Sequence, residues 1–123
     1  MSGERNNFAC GKEAEALRRL RIRRLNDQLR KTMTGGQVVI TKGVEAFGLI
    51  AVSSILQTIG QFDDFSSAND PYDEHDFGAI KYSGHRILFK IDYYDKQLEF
   101  GSPDPADADV TTRVMTIMLA QEY

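Results

Sequence analysis

The sequence has no tryptophan, one cysteine, three prolines and two histidines among its 123 residues. A lone cysteine, Cys10, makes neither an internal disulfide nor a zinc cluster. The disulfide-stapled folds of small secreted domains are therefore excluded, and a cytoplasmic setting is the expectation. No apolar run approaches the roughly 20 residues of a membrane-spanning helix. The N-terminus is polar and then basic, so it does not read as a secretory leader. No serine sits in a G-x-S-x-G nucleophile pattern. Gly35-Gly36 follows a helical stretch and precedes a strand-like one, the reverse of the order a phosphate loop requires. The chain has no internal repeat and no low-complexity tract, which excludes solenoids and compositionally disordered proteins.

What is present is an ordinary globular composition, 41% hydrophobic and 27% charged, in a length that supports one core. The net charge of −3 conceals a split, +5 over residues 1–31 and −8 over residues 32–123. Such asymmetry predicts either charged partners or a basic segment lying against the acidic remainder of the same molecule.

Residues 1–11 are polar and aperiodic and are expected to form a mobile tail, leaving residues 12–123 as a single domain. Lys12 to Thr32 is rich in good helix formers. It places Ile22, Leu25, Leu29 and Met33 on one face, with Lys12, Arg19, Arg23 and Arg30 as a basic face. Val38-Val39-Ile40 predicts a short strand and Leu49 to Phe62 a second helix. Asp63 to Asp76 reads as an acidic, turn-rich loop. Ser83-Gly84 predicts a tight hairpin turn that pairs Tyr82 with His85, Ile80 with Ile87 and Gly78 with Phe89. A second turn at Asp95-Lys96 would add a third strand, with Asp92 facing Glu99. Val110, Val114, Ile117 and Met118 suggest a last helix over Ala108 to Gln121. The predicted order α-β-α-β-β-β-α is an α+β fold: a small, mainly antiparallel sheet of about four strands with helices on its apolar face.

Three constellations can carry chemistry. The expected register sets His75, Asp92 and Glu99 side by side across three strands, where they can act as an oriented general base or bind a divalent metal. A row of surface salt bridges is the plainer reading, so no metal and no cofactor is expected. Asp70, Asp73, Glu74, Asp76 and Asp104 form acidic loops suited to binding a basic partner. They lack the spacing, central glycine and terminal glutamate of a calcium loop. The basic face suits nucleic-acid phosphates, although no groove-reading motif accompanies it.

Several strings are specific: Leu25-Asn26-Asp27, Phe62-Asp63-Asp64-Phe65, Asn69-Asp70-Pro71-Tyr72 into Glu74-His75-Asp76-Phe77-Gly78, and Lys90-Ile91-Asp92-Tyr93-Tyr94-Asp95. Gly101-Ser102-Pro103-Asp104-Pro105-Ala106-Asp107 follows, leading into Thr111 to Ala120 and Glu122-Tyr123. On these residues, the stretch from about Leu20 to Tyr123 resembles a bacterial, proteobacterial family of small proteins classed as a domain of unknown function. The resemblance implies a cytoplasmic accessory or regulatory protein of the kind carried by mobile elements, and it brings no catalytic residues.

The leading expectation is accordingly a non-enzymatic interaction protein. Its acidic loops would inhibit a nucleic-acid-handling host-defence complex by competing for phosphate sites. A small metal-dependent hydrolase or nuclease built on His75, Asp92 and Glu99 is the first alternative, and nucleic-acid binding by the basic helix is the second. No membrane partner is expected, and exposed apolar faces would serve a homodimer.

Overall fold

A computed structural model describes residues 3–123, with side chains described from residue 11 onward. The chain runs α1 (Gly3–Thr32), β1 (Gln37–Ile40), α2 (Lys42–Glu45), α3 (Leu49–Gly60), β2 (Phe77–Tyr82), β3 (His85–Tyr94) and β4 (Thr112–Leu119). Two single 3₁₀ turns, Ala108–Val110 and Ala120–Glu122, flank β4. The four strands form one sheet in the order β1-β4-β3-β2. The two pairings made by β3 are antiparallel, and only β1 with β4 is parallel. The fold class is α+β, as the segregation of strands and helices implies. No helix among the described residues is long and apolar enough to cross a membrane.

The β2–β3 hairpin has the register expected from its turn, with Tyr82 opposite His85, Ile80 opposite Ile87 and Gly78 opposite Phe89. Both turn residues are left-handed, Ser83 at φ 48° and Gly84 at φ 79°, which matches the right-handed twist of the strands. Alternation then places Ile87, Phe89 and Ile91 on one face. With Met115 and Ile117 of β4, Leu29 of α1, Val44 of α2, and Ile55 and Ile59 of α3, they form the buried core. Gly78 is required here, because a Cβ at that position would lie 2.4 Å from the Phe89 ring and 2.7 Å from Phe62.

Three expectations are corrected. Helix α1 begins at Gly3, so the segment expected as a tail continues the helix; Met1 and Ser2 lie outside the described residues. Lys96–Phe100 is not a strand. Asp95 accepts from the Leu98 backbone N–H at 3.1 Å through its carbonyl and from the Glu99 N–H at 3.0 Å through its carboxylate, so the chain coils into a turn. The last helix is also absent, and its residues form β4. Thr112, Val114, Thr116 and Ile117 are β-branched and stiff at χ1, which favours the pleated surface. The alternation of buried Arg113, Met115 and Ile117 follows period two. β4 occupies the place beside β3 that the 96–100 segment was expected to fill.

Candidate functional site

The site is built by the loop between α3 and β2 closing on α1. Phe62 and Phe65 anchor the loop, stacking edge-on to each other at 4.9 Å and to Phe89 of the core at 5.4 and 6.4 Å. Asn69 ties its start, its Oδ1 accepting from Ser66 N–H at 2.8 Å and its Nδ2 donating to the Asp64 carbonyl at 3.1 Å. Asp70 ties its end. This buried carboxylate accepts from the backbone N–H of Glu74 at 2.8 Å and of His75 at 3.1 Å. The tight winding holds Asp73 and His75 both at φ 58°, a left-handed conformation uncommon for either residue.

His75 is the centre of the cluster. Its ring stacks flat on Phe65, centroids 3.9 Å apart and planes within 4°. Its Nδ1 lies 2.9 Å from Oδ1 of Asp27 on α1. A carboxylate at that position accepts from Nδ1–H and leaves Nε2 facing the loop. Nε2 stands 3.9 Å from Oδ2 of Asp70 and 3.8 Å from Oδ1 of Asp73. The other oxygen of Asp73 is held by Arg23. One donor atom each from Asp70, Asp73 and His75 lies within 4.8 Å of the other two, the spread expected of ligands to one ion.

Arg30 supports the arrangement from beneath. It is buried and donates through Nη1 to the carbonyls of Ile59, Gly60 and Phe62 at 3.1, 3.2 and 2.7 Å, thereby closing the C-terminal end of α3. Its Nη2 donates to Asp27 at 2.8 Å, and its guanidinium lies 5.2 Å from the Phe65 ring centroid. Burial opposes the charge on Asp27, but the hydrogen bonds from Arg30 and His75 outweigh it and hold the carboxyl below the usual range. The cluster opens into a cleft of about 790 Å³ lined also by Lys31, Asp63, Ser66 and Ser67.

A second polar cluster lies behind the first, centred on the buried Asn26 and Arg113. Asn26 is fully buried; its Oδ1 accepts from Arg113 Nε at 2.9 Å, and its Nδ2 donates to Tyr93 Oη at 2.7 Å and to the Glu74 carbonyl at 3.0 Å. The Tyr93 hydroxyl donates to the Glu74 carboxylate at 2.8 Å. The Arg113 guanidinium lies 5.1 Å from the Tyr93 ring centroid and donates to the Pro105 carbonyl. Burial pushes the Tyr93 phenol well above its ordinary value and lowers Arg113. Burial, with Glu74 beside it, raises Asp76 to about 6.

The three residues expected to converge do not. Asp92 faces Val114 and pairs with Lys90 at 2.6 Å on the sheet face away from the core, while Glu99 is exposed in the 95–100 turn. His75 precedes β2 and turns to α1 instead. The acidic set is largely engaged within the molecule. Asp70 binds its own loop, Glu74 accepts from Tyr93, Asp73 pairs with Arg23, Asp76 is half-buried, and Asp104 pairs with Arg18 at 3.1 Å. The basic face divides. Lys12 and Arg19 are exposed, Arg23 is half-buried on Asp73, and Arg30 is a core residue.

Asp27 was not singled out by the sequence reasoning as a site residue. The available signal was Asn26-Asp27 interrupting the apolar stripe between Ile22 and Leu29, where an uncharged helix face would have packed more simply. No curated protein and no solved structure matches the chain. A family model does match, running from the end of β1 through the loop that carries Asp70, Asp73 and His75 to the turn after β4. It is the family described as "Protein of unknown function (DUF3768)"; the match covers residues 40–122, well over half of the chain, and the chain belongs to that family.

Proposed function

We propose that this chain is a divalent-cation-dependent hydrolase whose centre is His75 Nε2, Asp70 and Asp73. One observation carries the reading: Asp27 holds Nδ1 of His75, which turns Nε2 toward two carboxylates 3.8 and 3.9 Å away. Those separations are too long for hydrogen bonds and are close to the spacing of neighbouring ligands on a cation with bonds of about 2.0–2.3 Å. An imidazole nitrogen with two carboxylate oxygens favours a first-row cation such as Mn²⁺ or Zn²⁺ over Ca²⁺. The three carboxylates outnumber the two guanidiniums, Arg23 and Arg30, that pair with them, and the remaining negative charge is one a cation would neutralise. Three protein ligands leave positions for water. A cation held by these three residues would supply a water acidified enough to serve as nucleophile toward an ester or phosphoester.

The acidic-surface reading draws less support, because Asp70, Glu74 and Asp104 already hold internal partners. Calorimetric titration with Mn²⁺ and Zn²⁺ tests the proposal. One site per chain is expected, lost in both His75→Ala and Asp73→Asn, together with chelator-sensitive hydrolysis of a phosphoester. Binding that is absent, or unchanged in both variants, overturns it.

A further inference from the structure

We propose that the outward ridge of α1, Arg21–Arg24–Lys31, binds the phosphate backbone of a double-stranded nucleic acid and leads one strand to the cleft. What happens to that strand in the cleft rests on the cation-dependent reading above, whereas the binding itself does not.

The ridge follows from helix geometry. α1 buries Ile22, Asn26, Leu29 and Arg30 against the rest of the molecule. At 100° per residue, Arg21, Arg24, Gln28 and Lys31 fall on the opposite side, and all four are exposed. The cations of α1 thus sort by geometry. Arg18 pairs with Asp104, Arg23 with Asp73, and Arg30 with Asp27. Among the described residues no carboxylate lies within 4.0 Å of Arg21, Arg24 or Lys31. Carboxylates of the same molecule therefore neutralise Arg18, Arg23 and Arg30 and leave the outward ridge positive.

Dimensions and position give the ligand. With a rise of about 1.5 Å per residue, Arg21 to Lys31 spans about 15 Å. One strand of a duplex presents a charge about every 3.4 Å along its axis, so the ridge covers about four phosphates. The ridge ends at the cleft, because Lys31 lines it and Asp27, one turn after Arg24, faces it. The cleft wall carries Asp27, Asp63, Asp70 and Asp73, which repel a phosphate by themselves. A backbone drawn there needs an anchor outside the wall, and the ridge is that anchor. The ridge has no aromatic side chain on which to stack unpaired bases, and a duplex presents its phosphates outward without needing one. A membrane surface fits less well, since Ile22 and Leu29 of α1 are buried and the ridge itself carries no apolar side chain.

The test is fluorescence anisotropy of a labelled 20-base-pair DNA duplex with the full chain, in chelator and at low salt. Binding is expected, with a slope of log affinity against log salt of about −3 for three contacts. The variant Arg21→Glu/Arg24→Glu/Lys31→Glu loses at least tenfold in affinity, while Lys81→Glu/Arg86→Glu, exposed at the distal β2–β3 turn, loses less than twofold. All five positions are exposed, so both variants are expected to melt as the parent does. No binding at low salt, equal loss in the two variants, or tighter binding of the single strand of the same sequence overturns the proposal. Duplex binding without cation binding leaves the ridge standing and removes the hydrolytic centre; cation binding without duplex binding does the reverse.

Discussion

Two polar clusters lie on either side of the segment Glu74–His75, and they are built on opposite terms. Behind it, Asn26, Tyr93, Arg113 and the Glu74 carboxylate form a network, buried at Asn26 and Arg113, in which donors meet acceptors one for one. In front, His75 meets Asp27, Asp70 and Asp73, three carboxylates against one imidazole and the guanidiniums of Arg23 and Arg30, at the wall of a cleft. A matched buried network holds elements together and has nothing left to offer a ligand. An unmatched, partly open one keeps lone pairs and charge available, which is the condition for binding chemistry.

The comparison can be broken from either side. The largest effect is expected from Arg113→Ala. It leaves the Asn26 Oδ1 and the Pro105 carbonyl without their donor and removes the guanidinium over Tyr93, for a loss of about 3 kcal/mol in denaturant unfolding. A loss under about 1 kcal/mol would show that water replaces the arginine in the network. Asp27→Asn comes next, and its effect is on ligand affinity. Orienting partners of metal-bound histidines are worth about 10–100-fold, so Mn²⁺ affinity by calorimetry should fall by that factor. Unchanged affinity would mean that Asp27 does not orient His75.

His75→Phe sharpens the contrast. The stack on Phe65 can be retained by another ring, so the melting temperature should move by only a few degrees while cation binding disappears. A collapse in stability would class His75 with the scaffold. The smallest effect concerns Asp76, which is half-buried next to Glu74 and raised to about 6 from an ordinary value near 3.8. A carboxyl raised on folding binds more protons in the native state between those values, so its contribution falls as pH climbs from about 4 to about 6 and is flat above. Asp76→Asn should remove that slope and raise stability at pH 7. Asp27 works in the opposite direction: its lowered carboxyl contributes stability above the unfolded value, lost as pH falls through the folded one. Urea unfolding of parent and Asp76→Asn from about pH 2.5 to pH 7 separates the two, because the Asp27 window lies below the ordinary carboxyl value of 3.8 and the Asp76 window above it.

Much of the hairpin was legible because its information is local. Ser83-Gly84 dictates the turn, and alternation from Ile80 to Ile91 then allows one register, since a slip by one residue would turn the core face to solvent. The C-terminal segment misled because Val114, Ile117 and Met118 satisfy a helical stripe as readily as a strand. The choice was made by β1 and β3, each offering an unpaired edge. Losing the 96–100 strand separated Glu99 from Asp92 and dissolved the expected constellation.

By itself, then, the sequence determined the α+β class, the β2–β3 register and the acidic, turn-rich character of the loop 63–76. All of these depend on residues near one another along the chain. Only the tertiary structure decided that Arg30 is a core residue, that Thr112–Leu119 is a strand, and that Asp27 meets His75 across 48 positions of sequence. Helix periodicity says which residues share a face. What that face meets is set by the packing of distant elements, and that packing is where a carboxylate becomes the partner of a histidine.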